Sequence, residues 1–211
     1  MTPSNQPAGL DARCRARVLG YGGPVPAEAL RPRRPDVTTV ELVGGVERRA
    51  LSLADPDPAW SSDYAAHEER IRAALGAVAV SIEHIGSTSV PGLAAKPIID
   101  ILVTVDDITA EEDYLPALVA AGYPLRVREP GHRMVRTPER DVHGHLLEVG
   151  DPAAEDYLLL RDHLRRDAAD RVLYEETKRR LLAQDWPDMN AYADAKTEVI
   201  TAIKDRARRS R

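Results

Sequence analysis

Phenylalanine is absent from the 211 residues, cysteine occurs once, and lysine occurs four times against 25 arginines. Each shortage excludes something. A lone Cys14 cannot build a disulfide framework, so a reducing, cytoplasmic compartment is the default expectation. No apolar run approaches the ~20 residues that a bilayer-spanning helix needs, so no membrane partner is expected. The first 30 residues lack an apolar stretch between a basic start and a small-residue cleavage site, so no secretory signal is read. A formal net charge of -5 argues against nucleic acid as a dedicated partner, because such domains are usually basic. GC-rich codon usage accounts for few lysines and phenylalanines in general. It leaves open why lysine is kept at Lys96, Lys178, Lys196 and Lys204, since the two cations differ in shape, hydration and ease of deprotonation.

What is present divides the chain unevenly. Residues 1–40 hold six of the 16 prolines, four of the 13 glycines, and six arginines against Asp11, Glu28 and Asp36. Proline removes donors and fixes φ, so residues 1–38 are read as a flexible Pro/Gly/Arg-rich extension, with a basic arm for an acidic partner as the alternative. The domain proper is expected over 39–208. A short hairpin is expected within Val37 to Leu53, around Gly44 and Gly45. Tyr64, Ile71 and Leu75 recur at helical spacing, so a helix is expected over 61–75 with Gly76 as its C-cap. Strands are expected over 78–82, 98–105, 123–128, 132–136 and 142–149, and a helix over 110–121. The 98–105 segment is apolar on both faces and is therefore expected to be central. From Asp151 onward the chain carries apolar stripes at helical spacing over 152–166, 167–183 and 189–208. The class is α+β, with α/β-like alternation and a helical C-terminal third.

The residues best suited to chemistry lie between Glu83 and Asp100. Backbone N–H groups and hydroxyls in a Gly/Ser/Thr loop such as Gly86, Ser87, Thr88 and Ser89 can hold phosphate oxygens. A carboxylate facing that loop can hold Mg²⁺ or another divalent metal. Asp100 lies inside an apolar run, where a charged carboxylate is costly unless it is paired or bound to metal. A plain turn followed by a strand-capping aspartate is the competing reading. His143 and His145 stand at i, i+2, so they point the same way on a strand and can share a metal or a phosphate; a pair of solvated polar residues explains the same pattern. Glu148 lies on the opposite face by parity. His84 flanks the loop as a phosphate or metal contact, or as a structural histidine. Lys96, ahead of the Asp100 strand, can steer a phosphate as a point charge. Lys178 and Lys196 each follow a tyrosine by one helical turn, which packs the lysine stem on the ring and also offers two amines to a cleft.

Together these segments resemble the GrpB family, whose members have a nucleotidyltransferase-like fold. The resemblance rests on the string from Gly86 through Pro91, Gly92 and Leu93 to Lys96, Pro97 and Asp100. It extends to Asp57-Pro-Ala-Trp60, His143-Gly-His145, Arg161-Asp-His-Leu164 and the pairs Tyr174/Lys178 and Tyr192/Lys196, covering roughly residues 40–203. It implies a mixed sheet flanked by helices and a metal-dependent transferase acting on a nucleotide or other phosphate-bearing small molecule. Asp100, His145 and Lys96 would be catalytic, and Asp100, His143 and His145 would hold metal. Gly86, Ser87, Thr88, Ser89, His84, Lys178 and Lys196 would contact the substrate. Some family members are fused to dephospho-CoA kinase, but this chain carries no P-loop. Nucleotidyltransferases typically carry a second aspartate two residues after the first, and here that position is Leu102. The departure favours two alternatives: a non-catalytic nucleotide or anion binder, and a different metal chemistry in which histidines replace the lost carboxylate.

Overall fold

The computed structural model describes residues 34–47, 52–184, 186 and 194–210. Eleven elements follow in chain order: β1 (Glu41–Leu42), α1 (Ala59–Leu75), β2 (Ser81–Ile85), β3 (Ile99–Val105), α2 (Glu111–Ala120), β4 (Leu125–Glu129), β5 (His132–Arg136), β6 (Val142–Glu148), α3 (Pro152–Arg166), α4 (Ala168–Leu182) and α5 (Thr197–Arg209). The strands form one six-stranded sheet in the order β1-β4-β5-β6-β3-β2. Only β3 and β6 run parallel. That pairing requires a crossover, which α2 and the β4–β5 hairpin supply between them. The class is therefore α+β, as the segment order predicts.

β3 is internal, between β6 and β2, and its alternation explains the two layers. Ile99, Ile101, Val103 and Val105 join the main core with Trp60, Ile71 and Leu75 of α1 and Tyr114 and Leu118 of α2. Leu102 points the other way, into a smaller cluster with Ile85, Leu147 and Ala154. The helical third covers part of this second side. Asp151 and Asp167 cap α3 and α4 by accepting from the backbone N–H groups of Ala153 and Asp170, at 2.7 and 2.8 Å, each contributing about 1 kcal/mol. Leu164, Tyr174 and Ile203 from α3, α4 and α5 pack with Val90 and Leu93 of the loop that follows β2. The Gly-Ser loop is thereby held against the helices.

Three boundaries differ from the sequence expectation. The hairpin within 37–53 is not found among the described residues; β1 pairs with β4 instead, and residues 48–51 lie outside them. The strand expected at 78–82 begins at Ser81, because Gly76–Val78 continues α1 as a 3₁₀ turn. α5 begins at Thr197, and the expected start at Met189, with Tyr192 and its pairing to Lys196, lies outside the described residues. So does residues 1–33 of the expected extension. Within 34–38, Asp36 accepts from the Arg133 guanidinium and the Gly131 N–H. No helix among the described residues is long and apolar enough to cross a membrane.

Candidate functional site

The second side of the sheet is not apolar throughout. Register places Asp100 of β3 opposite His143 of β6, and Leu102 opposite His145. The Asp100 carboxylate and the two imidazoles meet there: His143 Nδ1 is 3.5 Å and His145 Nε2 is 3.6 Å from Asp100 Oδ1. All three are half-buried, and one donor atom from each lies within 4.8 Å of the others, a spacing that suits a metal ion. Burial would raise the Asp100 carboxyl, but His143 and His145, when they present an N–H to it, overcome this and hold it well below the usual carboxylate range. Between the histidines, Gly144 faces the main core. A Cβ there would come 2.8 Å from Val135 Cγ2, so glycine leaves room on the core face for the Val135 side chain of the neighbouring β5 while β6 carries two histidines on the other face.

The Gly-Ser loop abuts the carboxylate. Gly86 has φ 71°, in the left-handed region that glycine tolerates. A Cβ on it would fall 2.4 Å from Asp100 Oδ2, so the backbone touches the carboxylate and no other residue fits. Ser87 follows, and its Oγ accepts from Lys178 Nζ at 3.1 Å. Lys178 also donates to the Ala94 carbonyl, and its Nζ lies over the Tyr174 ring, 4.8 Å from the ring centre. It is 3% exposed. Burial, then the nearby charge of Lys196, lowers its ammonium to about 7. Burial likewise lowers Lys196, while the Asp100 charge acts in the opposite sense. The two amines and the carboxylate therefore share one electrostatic neighbourhood.

The remaining sequence candidates are divided by the loop. His84 pairs in register with Ile101 and shares the α1 side of the sheet, opposite Asp100. It stacks on Tyr64 with ring centres 4.5 Å apart and exchanges a hydrogen bond with Thr88 Oγ1 at 3.1 Å. Burial and then Arg165 lower its imidazole to about 4. Thr88 Oγ1 bonds the Ile98 carbonyl and Ser89 Oγ the Gly86 carbonyl, so both hydroxyls brace the loop. His84, Thr88 and Ser89 line, with Asp57, Trp60 and Arg165, a cavity of about 360 Å³. Lys96 is half-buried on the loop entering β3. Glu148 accepts from the Ile108 N–H at the far end of β6, clear of the cluster. Arg161 ties α3 to Glu83 and to the His84 carbonyl of β2.

His132, Glu129 and Tyr157 were not singled out by sequence reasoning. Parity on a β5 paired antiparallel to β6 would have found His132. Its Nε2 is 3.1 Å from His145 Nδ1, and its own Nδ1 is 2.6 Å from Glu129 Oε1. The Tyr157 ring lies 5.8 Å from that of His145, centre to centre.

Fold and site together define an α+β protein that presents a two-histidine, one-carboxylate cluster beside a serine–lysine pair. Residues 50–206 match the model of the family described as GrpB protein, and the chain belongs to that family. A UPF0157 protein of Streptomyces coelicolor is 65% identical over 175 residues, spanning 83% of this chain and 94% of that protein. A UPF0157 protein of Halalkalibacterium halodurans is 42% identical over 161 residues, spanning 75% of this chain and 83% of that one. Among solved structures, the conserved protein GrpB from Enterococcus faecalis matches with a TM-score of 0.65 and 28% identity, covering 74% of this chain and 96% of that one.

Proposed function

We propose that the protein is a metal-dependent transferase acting on a nucleotide or another phosphate-bearing small molecule. One observation carries this reading: a metal-ligand set and a serine–lysine pair meet at Gly86, whose backbone lies against Asp100. Asp100, His143 and His145 would hold a divalent metal. Two imidazoles and one carboxylate suit zinc or another transition metal better than Mg²⁺, which favours all-oxygen ligands. When bound, the metal would supply Lewis-acid polarisation of a phosphoryl oxygen. Ser87 and the Gly86–Ser87 backbone receive phosphate oxygens, and Lys178 and Lys196 neutralise their charge. A dianion entering between the two lysines favours their charged forms, so substrate binding draws protons onto them. Lys96 adds positive charge at the entry to β3.

Leu102 favours a second reading. It occupies the second-aspartate position, is fully buried, and packs on Ile85 and Leu147. With no second carboxylate there, the pocket suits recognition of an anion without turnover. Incubation of the protein with each nucleoside triphosphate, a metabolite pool and Mg²⁺, Mn²⁺ or Zn²⁺ separates the two. Pyrophosphate release that disappears in Asp100→Ala is the expected result. Release no greater than in Asp100→Ala overturns the transferase, and a nucleotide-induced thermal shift without release leaves the binder.

A further inference from the structure

A row of polar side chains crosses four strands on the face that carries the cluster. It runs from Glu129 on β4 through His132 on β5 and His145 on β6 to Asp100 on β3. Register puts them on one face: Glu129 pairs with His132, His132 with Leu147, Met134 with His145, and Leu102 with His145. The contacts alternate ring nitrogens. Glu129 Oε1 meets His132 Nδ1 at 2.6 Å, His132 Nε2 meets His145 Nδ1 at 3.1 Å, and His145 Nε2 faces Asp100 Oδ1 at 3.6 Å.

We propose that Glu129 and His132 are positioning residues that fix the ring orientation and tautomer of His145, so that its Nε2 lone pair faces Asp100 as a metal ligand. The logic runs inward from the carboxylate. An ionised Glu129 only accepts, so His132 Nδ1 carries the hydrogen it receives. Neutral His132 then offers a lone pair at Nε2, and His145 Nδ1 must donate to it. Neutral His145 is left with a lone pair at Nε2, the atom nearest Asp100. A lone pair and a carboxylate oxygen facing each other call for a cation between them. Metal-bound histidines commonly donate their other N–H to such a partner, which holds the ring and raises its basicity. The His132 and His145 rings, centres 5.3 Å apart and 12° from parallel, lie nearly coplanar and end to end, the alignment that an in-line N–H···N bond needs. Glu129 and His132 thus extend the site by two residues that do not touch the metal.

This inference rests on the metal reading above, and the test separates the two. Ring ¹⁵N–¹H correlations of the full-length, metal-free protein at pH 8 report the His145 tautomer, and titration with Co²⁺ reports affinity and visible absorption. The expected tautomer carries its proton on Nδ1. His132→Leu removes the acceptor and lowers Co²⁺ affinity about 10–100-fold, with an altered Co²⁺ spectrum. His132→Gln, whose amide oxygen can accept the same N–H, keeps affinity within roughly threefold. Circular dichroism of both variants checks that they fold. A proton on His145 Nε2 in the parent protein, or undiminished Co²⁺ affinity in a folded His132→Leu, overturns the inference while the metal reading stands. A parent protein that binds no Co²⁺, Zn²⁺ or Mn²⁺ overturns the metal reading, and with it the ligand role assigned to His145.

Discussion

The two faces of β3 are built from the same strand to different ends. On the α1–α2 side, Ile99, Ile101, Val103 and Val105 are each no more than 4% exposed and enter one continuous apolar cluster. On the other side, Leu102 is fully buried, yet Asp100, two residues away, lies in a polar row open to solvent on a face only partly roofed by α3. The contrast teaches where stability and chemistry are separable. The closed face contributes packing that any truncation forfeits. The open end of the other face carries charged groups whose partners are one another and the solvent, so removing one still leaves its neighbours partly partnered.

The largest expected effect comes where the two regimes meet. Leu102→Asp would add a second carboxylate two residues after Asp100, but it places that carboxylate among Ile85, Leu147 and Ala154. Lost packing and an unpaired buried charge together should cost about 4 kcal/mol or more in metal-free protein. Urea titration measures it. A cost below about 1 kcal/mol would show that the Leu102 site is already hydrated and that the dry region of this face ends before it.

A smaller effect tests the comparison itself. Ile101→Ala on the closed face should destabilise by about 3 kcal/mol through the cavity left between sheet and α1. The same truncation at His143, opposite Asp100 on the open face, should cost less, about 1–2 kcal/mol, because His145 still faces the carboxylate. Metal affinity should follow the reverse order, nearly unchanged per folded molecule in Ile101→Ala and lost in His143→Ala. Denaturation curves paired with metal titration give both numbers. Equal stability losses would break the separation.

Much of this arrangement is legible in the chain. Alternation in Ile99–Val105 gives the central strand and its two faces; i, i+2 parity puts His143 and His145 together; and the isolated Asp100 marks the place where polarity enters the sheet. Helices α3 and α4 follow from their apolar stripes, while Asp167, read as part of the second helix, proves to be its N-cap. What the chain does not reveal is pairing across the sheet. The His145–His132 contact depends on β5 lying antiparallel beside β6 in one register, and no local pattern fixes register. The same holds for His84: parity on β2 says only that it shares a face with Ile82, and the register with β3 decides that this is the face away from Asp100. The weak alternation near Gly44 and Gly45 reads as a hairpin because turn residues are visible locally, whereas the actual partner of β1 lies some 85 residues on.

The smallest expected effect concerns Lys178, in a chain that otherwise prefers arginine. Its amine is buried among the Ala94 carbonyl, Ser87 Oγ and the Tyr174 ring, and its protonation falls to about 7 from an ordinary 10.5. Between those values the unfolded chain binds more protons at this site than the folded one, so stability must rise with pH across that window, and below about 7 the cost of burying the charge is present in full. Local opening hydrates the amine before the whole shift is felt, so the rise from pH 7 to 10 should be about 1–2 kcal/mol relative to Lys178→Met, which cannot titrate. Lys178→Arg should show no such rise, because a guanidinium stays charged throughout, and it should be less stable than the parent protein, most of all at pH 10. Parallel denaturation curves of the three proteins at pH 7, 8.5 and 10 measure this. A parent slope identical to that of Lys178→Met would mean the ammonium keeps its charge when folded. The retention of lysine here would then need a reason other than the ease with which it gives up a proton.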